Sequence, residues 1–147
     1  MGHQASDEIQ FPPVSRPGGN YQSLLVRGNI AYVAIQFPIW GNEFRYQGVL
    51  GDTLNVEDGY RAFELCAMNV LVQVKEKLGW DKISGLNHFD AYYVATDGWD
   101  DAPGAVNGAS DMFLRLLGEK GTHTRAIMGV ARLPRNFCAG IVCTFTI

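Results

Sequence analysis

Hydrophobic and polar positions along this chain predict two strands, a long helix, a further strand, a second helix and two final strands. Short apolar runs at residues 24–26 and 30–35 flank Arg27-Gly28-Asn29, an arrangement typical of a β-hairpin. From residue 55 to residue 78, apolar side chains recur at steps of three and four, which predicts an amphipathic helix. Thr53 or Asn55 is suited to cap the start of this helix.

In the second half of the chain, strand-like and helix-like patterns again follow each other. Residues 86–96 are rich in aromatic and β-branched side chains and predict a strand, whereas the Gly, Asp and Pro of residues 97–104 predict a loop. A second helix is predicted at residues 105–117, followed by strands at 124–133 and 137–147. The glycine-containing segment 40–52 predicts a loop that can hold a short strand.

This order of elements predicts an α/β (α+β) fold, in which a mixed β-sheet carries two helices on one face. No segment is left to cover the other face of the sheet, so we expect the chain to self-associate. Residues 1–20 hold three of the six prolines and predict an extended N-terminal arm, whereas residues 21–147 predict a single domain.

Composition narrows the classes of partner. The net charge of −3 and the pI of about 5.5 argue against a nucleic-acid-binding protein, although three arginines between Arg125 and Arg135 leave a local basic patch open. The three cysteines form no CxxC pair, which favours buried reduced thiols over a disulfide or a zinc site. No apolar run has the length of a membrane span or a signal peptide, so we expect a soluble, cytoplasmic protein.

Four stretches of the sequence carry a resemblance to a known family. They are Gly51-Asp52-Thr53 with Gly59-Tyr60-Arg61-Ala62, then Cys66-Ala67-Met68-Asn69, then Val106-Asn107-Gly108-Ala109-Ser110-Asp111, and last His123-Thr124-Arg125-Ala126-Ile127-Met128-Gly129-Val130-Ala131-Arg132-Leu133-Pro134. From about residue 19 to the C-terminus the chain resembles the YjgF/RidA family, in the branch with VNGASD and HARxxxGVxxLP motifs.

The resemblance implies a chorismate-mutase-like fold and a homotrimer, whose three sheets pack face to face into a barrel-like core. It implies small-molecule clefts between the subunits and the hydrolysis of reactive enamines or imines, such as 2-aminoacrylate, to keto acids and ammonia. It also implies that neither a metal nor an organic cofactor takes part.

Arg125 is the residue that we expect to carry the binding chemistry. Its guanidinium is always charged and presents a planar fork that holds a carboxylate through two hydrogen bonds; the alternative is an ordinary salt-bridge arginine. By resemblance, Asn107 lies near the neighbouring subunit's cleft and Tyr21 lines the pocket. As alternatives, Asn107 is a turn or cap residue and Tyr21 a core aromatic. The backbone near Ile35, Gln36 and Ile127 is expected to position the rest of the ligand.

Two departures from the family pattern bear on catalysis. Ala34-Ile35-Gln36-Phe37-Pro38 stands where the family has Ser-Gly-Gln-x-Pro, and Gly140 stands where deaminating members have a glutamate. General base catalysis needs a proton acceptor within reach of the water, and His123 is one candidate because it lies two residues before Arg125. Cys138 shares the predicted face of Gly140 and is a candidate nucleophile. The alternatives are a structural histidine and an inert buried thiol.

The leading hypothesis is therefore a hydrolase, an enamine or imine deaminase or a diverged relative that acts on a carboxylate-bearing reactive metabolite. The missing carboxylate motivates an alternative, a non-catalytic ligand-binding or regulatory module that uses the same cleft. The apolar Ala34-Ile35 motivates another, a re-purposed pathway enzyme for a larger aromatic or cyclic substrate. Ribonuclease activity is the alternative that the acidic pI favours least.

Overall fold

Seven strands, two α-helices and three short 3-10 helices make up the regular secondary structure of residues 9–147, the part of the chain that the computed structural model describes. The predicted arm falls partly outside these described residues, because they begin at Ile9. The strands are β1 (Leu24–Arg27), β2 (Ile30–Gln36), β3 (Ile39–Trp40), β4 (Glu43–Phe44), β5 (Gly85–Tyr93), β6 (Thr124–Gly129) and β7 (Ala139–Thr146). The helices are α1 (Val56–Lys77) and α2 (Ala102–Leu117).

Five strands form one mixed sheet in the order β1-β2-β7-β5-β6. β5 and β6 are parallel and the other neighbours are antiparallel, so the predicted mixed sheet is confirmed. The last strand of the chain lies in the middle of the sheet, between β2 and β5. β2 and β6 are thus three strand spacings apart, roughly 14 Å. β3 and β4 form a separate two-stranded ribbon.

Both helices pack on one face of the sheet, as the sequence predicts. Along β7 the side chains of Ala139, Ile141, Cys143 and Phe145 alternate into this core and are at most 1% exposed, which follows from the two-residue period of a strand. Asn55, rather than Thr53, caps α1. Its Oδ1 accepts a hydrogen bond from the Asp58 amide while the Asp58 carboxylate accepts one from the Asn55 amide.

The opposite face of the sheet carries exposed apolar and polar side chains. Leu25 and Tyr32, which pair across β1 and β2, are 39% and 49% exposed. On β5, the His88 ring contacts Thr124 Oγ1 at 2.7 Å and Asp90 Oδ1 at 2.9 Å. Within residues 9–147, neither helix covers this face, which is the arrangement that led us to expect self-association; the trimer itself stays a prediction.

Three predicted boundaries are wrong by three residues or more. β5 ends at Tyr93 rather than at residue 96. α2 begins at Ala102 rather than at residue 105, because Pro103 fits the first turn of a helix, where a backbone N–H has no partner to lose. β6 ends at Gly129 rather than at residue 133, because its partner strand β5 ends at Tyr93 and no ladder continues beyond that pair. The earlier start of α2 places Asn107 inside the helix, so the cap interpretation of Asn107 is also wrong.

The cysteines and the arm complete the fold. Cys66, Cys138 and Cys143 are buried free thiols, as predicted. Residues 9–23 form no helix or strand, and Phe11 packs on the Trp80 ring with centroids 5.6 Å apart. The position of the boundary between arm and domain stays a prediction. None of the helices in residues 9–147 combines the length and the apolar character that crossing a membrane requires.

Candidate functional site

Arg125 lies on the edge strand β6 and points toward α2. Its register partner is the buried Phe89, and side chains of paired residues lie on the same face, so the guanidinium lies on the helix side of the sheet. Nη1 donates hydrogen bonds to Asn107 Oδ1 at 2.9 Å and to Ser110 Oγ at 3.0 Å. Two residues of the Asn-Gly-Ala-Ser stretch, one helical turn apart, therefore hold one nitrogen of the guanidinium in place.

His123 belongs to the same cluster. Its Nδ1 contacts the backbone carbonyl of Gly121, which can only accept, so Nδ1 carries the proton. In the neutral ring Nε2 is then an acceptor, and the Ser110 hydroxyl donates to it across 2.9 Å. Ser110 thereby accepts from Arg125 and donates to His123. Both nitrogens of the ring are engaged within the protein, an arrangement that favours a structural role for His123 over a general base.

The remaining donors of Arg125 face a shallow pocket. Among residues 9–147, no carboxylate oxygen lies within 4 Å of its guanidinium, and Nε and Nη2 make no hydrogen bond. The pocket encloses about 400 Å³. Its lining residues are Asn107, Ser110, Asp111, Leu114, Thr122, His123 and Arg125. A planar guanidinium with unused donors at an open pocket is suited to bind a carboxylate.

Among residues 9–147, Asp111 is the one acidic residue that lines this pocket, and a residue of α1 binds it. The Tyr60 hydroxyl donates to Asp111 Oδ2 at 2.6 Å. This hydrogen bond, reinforced by desolvation, raises the pKa of Tyr60 to about 12. The carboxylate is thus held toward α1 rather than toward Arg125.

Tyr21, Ile35 and Gln36 line a second, larger pocket of about 780 Å³. It lies near β2, away from the edge strand β6 that carries Arg125. Residues 13–18 of the arm, the β3–β4 ribbon and the segment before β7 complete its walls. Tyr21 is 47% exposed, so it is not a core aromatic, and its hydroxyl accepts a hydrogen bond from the Gly18 amide at 3.2 Å. Gln36 is 6% exposed and donates from Nε2 to the Ala34 carbonyl.

The two departures from the family pattern meet at Gly140. A Cβ built on Gly140 lies 3.0 Å from Ile35 Cδ1 and 3.0 Å from Phe37 Cε1. Ile35 and Phe37 therefore fill the space that a larger side chain at this position requires.

Cys138 and Ile127 lie away from both pockets. The Cys138 thiol is fully buried in the hydrophobic core, and burial raises its pKa to about 12, so the thiolate that a nucleophile requires is scarce at neutral pH. Ile127 pairs with Ala91 and packs partly against the core. Residues 9–147 contain no group of three or more metal-ligating side chains.

The structure thus brings Arg125, His123 and Asn107 together and places Tyr21, Ile35 and Gln36 elsewhere. Ser110 connects Arg125 to His123, a role that the sequence did not single out although the residue stands in a quoted motif. Arg135, which lines the larger pocket, was also missed. Its only signal in the sequence is its position directly after the proline that closes the HARxxxGVxxLP-like stretch.

Comparison with other proteins places this chain among known relatives. A family model described as "YjgF/chorismate mutase-like, putative endoribonuclease" matches residues 4–146. Protein TCP17 of Trypanosoma cruzi is 31% identical over 128 residues, which cover 86% of this chain and 80% of that protein.

Two solved structures share both fold and sequence with the chain. One, from Shewanella oneidensis MR-1, carries an endoribonuclease description; it is 27% identical with a TM-score of 0.92, and the match covers 97% of this chain and 95% of that one. The other, Atu1372 of Agrobacterium tumefaciens, is described as having unknown function; it is 31% identical with a TM-score of 0.90, covering 97% and 89%. With a family model that spans nearly its whole length, the chain belongs to the YjgF/chorismate mutase-like family.

Proposed function

We propose that this protein is a small-molecule hydrolase that binds the carboxylate of a reactive imine or enamine at Arg125, in a cleft between subunits of a homotrimer. The observation that carries the proposal is the state of the guanidinium. Asn107 and Ser110 hold one nitrogen, whereas the other donors face a pocket and have no carboxylate partner within residues 9–147.

The separation of the two pockets supports a cleft formed by two subunits. Arg125 lies on the edge strand β6 and faces the helices, whereas Ile35, which packs over Gly140, lies near the other edge of the sheet. The distance across the intervening strands is roughly 14 Å, too large for one small ligand to touch both within a single chain. A neighbouring copy that places its β6 edge over the larger pocket brings the two halves together.

The reaction requires one water molecule. Water attacks the carbon of the C=N bond of the imine, the C–N bond breaks, and the products are a keto acid and ammonia. The strand residue Gly140 offers no carboxylate, and both nitrogens of His123 are engaged. We therefore propose that the imine nitrogen of the substrate accepts the proton of the attacking water. A backbone carbonyl orients that water by accepting a hydrogen bond from it, and Arg125 and its partners hold the substrate in position.

A specific observation favours one second candidate, a ligand-binding module without turnover. Ile35 and Phe37 pack over Gly140 and exclude water from the place where deaminating relatives are expected to have their acid. Such a module uses the same Arg125 contact and predicts that keto acids bind but that no imine is hydrolysed.

A coupled assay tests the proposal. A pyridoxal-phosphate enzyme generates 2-aminoacrylate from serine, and pyruvate release is followed with and without this protein. We expect acceleration by the native chain, a loss of about tenfold or more with Arg125→Ala, since a hydrogen bond to a charged group contributes about 1.5–3 kcal/mol, and little change with Arg132→Ala. Arg132 is exposed and lines neither pocket, which makes it a matched control.

Binding is measured in parallel by calorimetry with pyruvate. Pyruvate binding that Arg125→Ala abolishes, without any acceleration by the native chain, would support the binding module instead. No acceleration and no binding by a well-folded native protein would refute both functions.

A further inference from the structure

We infer that the larger pocket accepts the ring of an aromatic carboxylate, and that Arg135 covers that ring. This inference rests on the proposed function, because it names the class of ligand for the same cleft. It begins from the difference in size between the pockets, about 780 Å³ against about 400 Å³. A three-carbon keto acid has no use for the larger space, whereas a pocket of this size suits a ligand with a ring.

Aromatic side chains form one wall of the larger pocket. The rings of Phe37 and Phe137 stack with centroids 5.1 Å apart and planes inclined by 12°. The Phe44 ring meets Phe137 edge-on, with centroids 5.4 Å apart. Together with Ile35 and Ile39 these rings form an apolar surface, and a planar ring can join the stack in either of these geometries.

Among residues 9–147, the charged side chains that line this pocket have a single sign. Two arginines, Arg16 and Arg135, line it, and no aspartate or glutamate of the described residues does. Among residues 9–147, no carboxylate oxygen lies within 4 Å of the Arg135 guanidinium. A cleft that presents cations and no acid attracts an anionic ligand.

Arg135 is held in an unusual backbone conformation at the rim of the pocket. Its φ of 57° and the φ of 59° at Asn136 are left-handed values, which non-glycine residues disfavour. Gln47 Nε2 donates to the Arg135 carbonyl at 2.7 Å, and the Gly48 amide donates to the Asn136 carbonyl at 2.8 Å. The Arg135 guanidinium carbon lies 5.6 Å from the centre of the Phe44 ring, so it is already positioned over an aromatic face.

Two buried amides of α1 fix the walls of the pocket. Asn69 Nδ2 donates to the carbonyls of Phe37 and Ile39, at 3.0 and 2.8 Å. One turn later, Gln73 Nε2 donates to the Ser15 carbonyl of the arm at 2.8 Å. Both amides are 1% exposed. A pocket whose walls are tied to a helix is formed before the ligand arrives, which lowers the entropy lost on binding.

Affinities for pyruvate and phenylpyruvate, measured by calorimetry on the full chain, test the inference. The two probes share the keto acid and differ by the phenyl ring. We expect phenylpyruvate to bind at least about tenfold more tightly, because the ring buries apolar surface. Arg135→Asn keeps a residue that tolerates left-handed φ, and Phe44→Leu removes a partly exposed ring. Each should weaken phenylpyruvate binding about three- to tenfold and weaken pyruvate binding clearly less, so that the preference for the ring falls.

Arg132→Asn is the matched control and should change neither affinity, and melting temperatures verify that every variant folds. Equal affinities for the two probes, both dependent on Arg125, would overturn the inference and leave the proposed function standing. Tighter phenylpyruvate binding that persists in Arg125→Ala but falls in Arg135→Asn would support the inference and refute the role of Arg125. A ring preference untouched by Arg135→Asn and Phe44→Leu, or no binding of either probe, would also overturn the inference.

Discussion

The Arg125 pocket and the larger pocket are lined by different kinds of side chain and of backbone segment. Around Arg125, a helix and a strand place polar side chains in a connected chain of hydrogen bonds from the guanidinium through Ser110 to the His123 ring. Around Phe137, loops and the arm assemble an apolar surface with cations at the rim. The first pocket is small and is built from neighbouring regular elements, whereas the second is large and depends on segments distant in sequence.

Because of this difference, we expect the two pockets to tolerate substitutions to different extents. The Arg125 pocket is fixed by close backbone packing, because a Cβ on Gly108 would lie 2.0 Å from the Tyr60 carbonyl oxygen of α1. The larger pocket is bounded by side chains such as Ile35 and by irregular segments, so we expect substitutions there to disturb the packing of the helices less. Under the proposed function, recognition of the acid and choice of the remaining ligand are thus assigned to separate structural units.

The largest expected effect comes from Gly108→Ala, which changes the helix packing behind the Arg125 pocket. The new Cβ forces α1 and α2 apart, and we expect a loss of about 3 kcal/mol in the free energy of unfolding, with weaker keto acid binding. Gly104→Ala, in the same helix, is the matched control, because its nearest neighbour is Val56 Cγ2 at 3.8 Å. Urea denaturation measures both variants. Equal stabilities for the two would contradict the close packing of the helices at Gly108.

Gly140→Glu tests whether the two departures at the larger pocket form one change. The new side chain collides with Ile35 and Phe37, and overpacking of this kind costs about 1–3 kcal/mol. Ile35→Gly opens the space, so the double variant should recover part of that loss, and a double-mutant cycle of unfolding free energies measures the coupling. We further expect imine hydrolysis to be faster in the double variant than in either single variant. Strictly additive losses would show that positions 35 and 140 are not coupled.

Gln73→Leu is expected to loosen the arm at the larger pocket and to leave the Arg125 pocket unchanged. It removes the hydrogen bond to the Ser15 carbonyl, worth about 1 kcal/mol, but it also removes Gln73 Oε1, which is buried and has no partner among residues 9–147. The two changes oppose each other, so we expect global stability to shift by less than about 1 kcal/mol. Limited proteolysis should nevertheless cut the arm faster, while Gln22→Leu, at an exposed position, should not. Unchanged cleavage would show that Gln73 does not hold the arm.

The smallest effect is expected from Tyr60→Phe, which should change how the free energy of unfolding depends on pH. The Asp111 hydrogen bond favours the protonated phenol and raises its pKa from 10.0 to about 12. Its contribution to stability is therefore complete below pH 10 and is lost as the pH rises through about 12. The group is partly exposed, so we expect less than about 1 kcal/mol between the native chain and the variant at pH 8. A difference that persisted unchanged above pH 12 would contradict this assignment.

Sequence patterns alone predicted the two helices, the five strands of the main sheet and the buried face of α1. Steps of three and four along α1 and alternation along β7 depend on the geometry of a single element, so they can be predicted without the rest of the chain. The cap at Asn55 is also local, since its partner Asp58 lies three residues away. Boundaries were missed where a neighbour decided them, as at Gly129, where β6 stops because β5 does.

The sequence by itself also determined the family, and it singled out Arg125 as the candidate binding residue because the motif that contains it is continuous along the chain. Only the tertiary structure decided how the site is divided. The insertion of β7 between β2 and β5 separates Arg125 from Ile35, and the bond between Gln47 and Arg135 joins residues 88 positions apart. Such contacts depend on strand order and chain path, which are set by packing of the whole molecule and leave no period in the sequence.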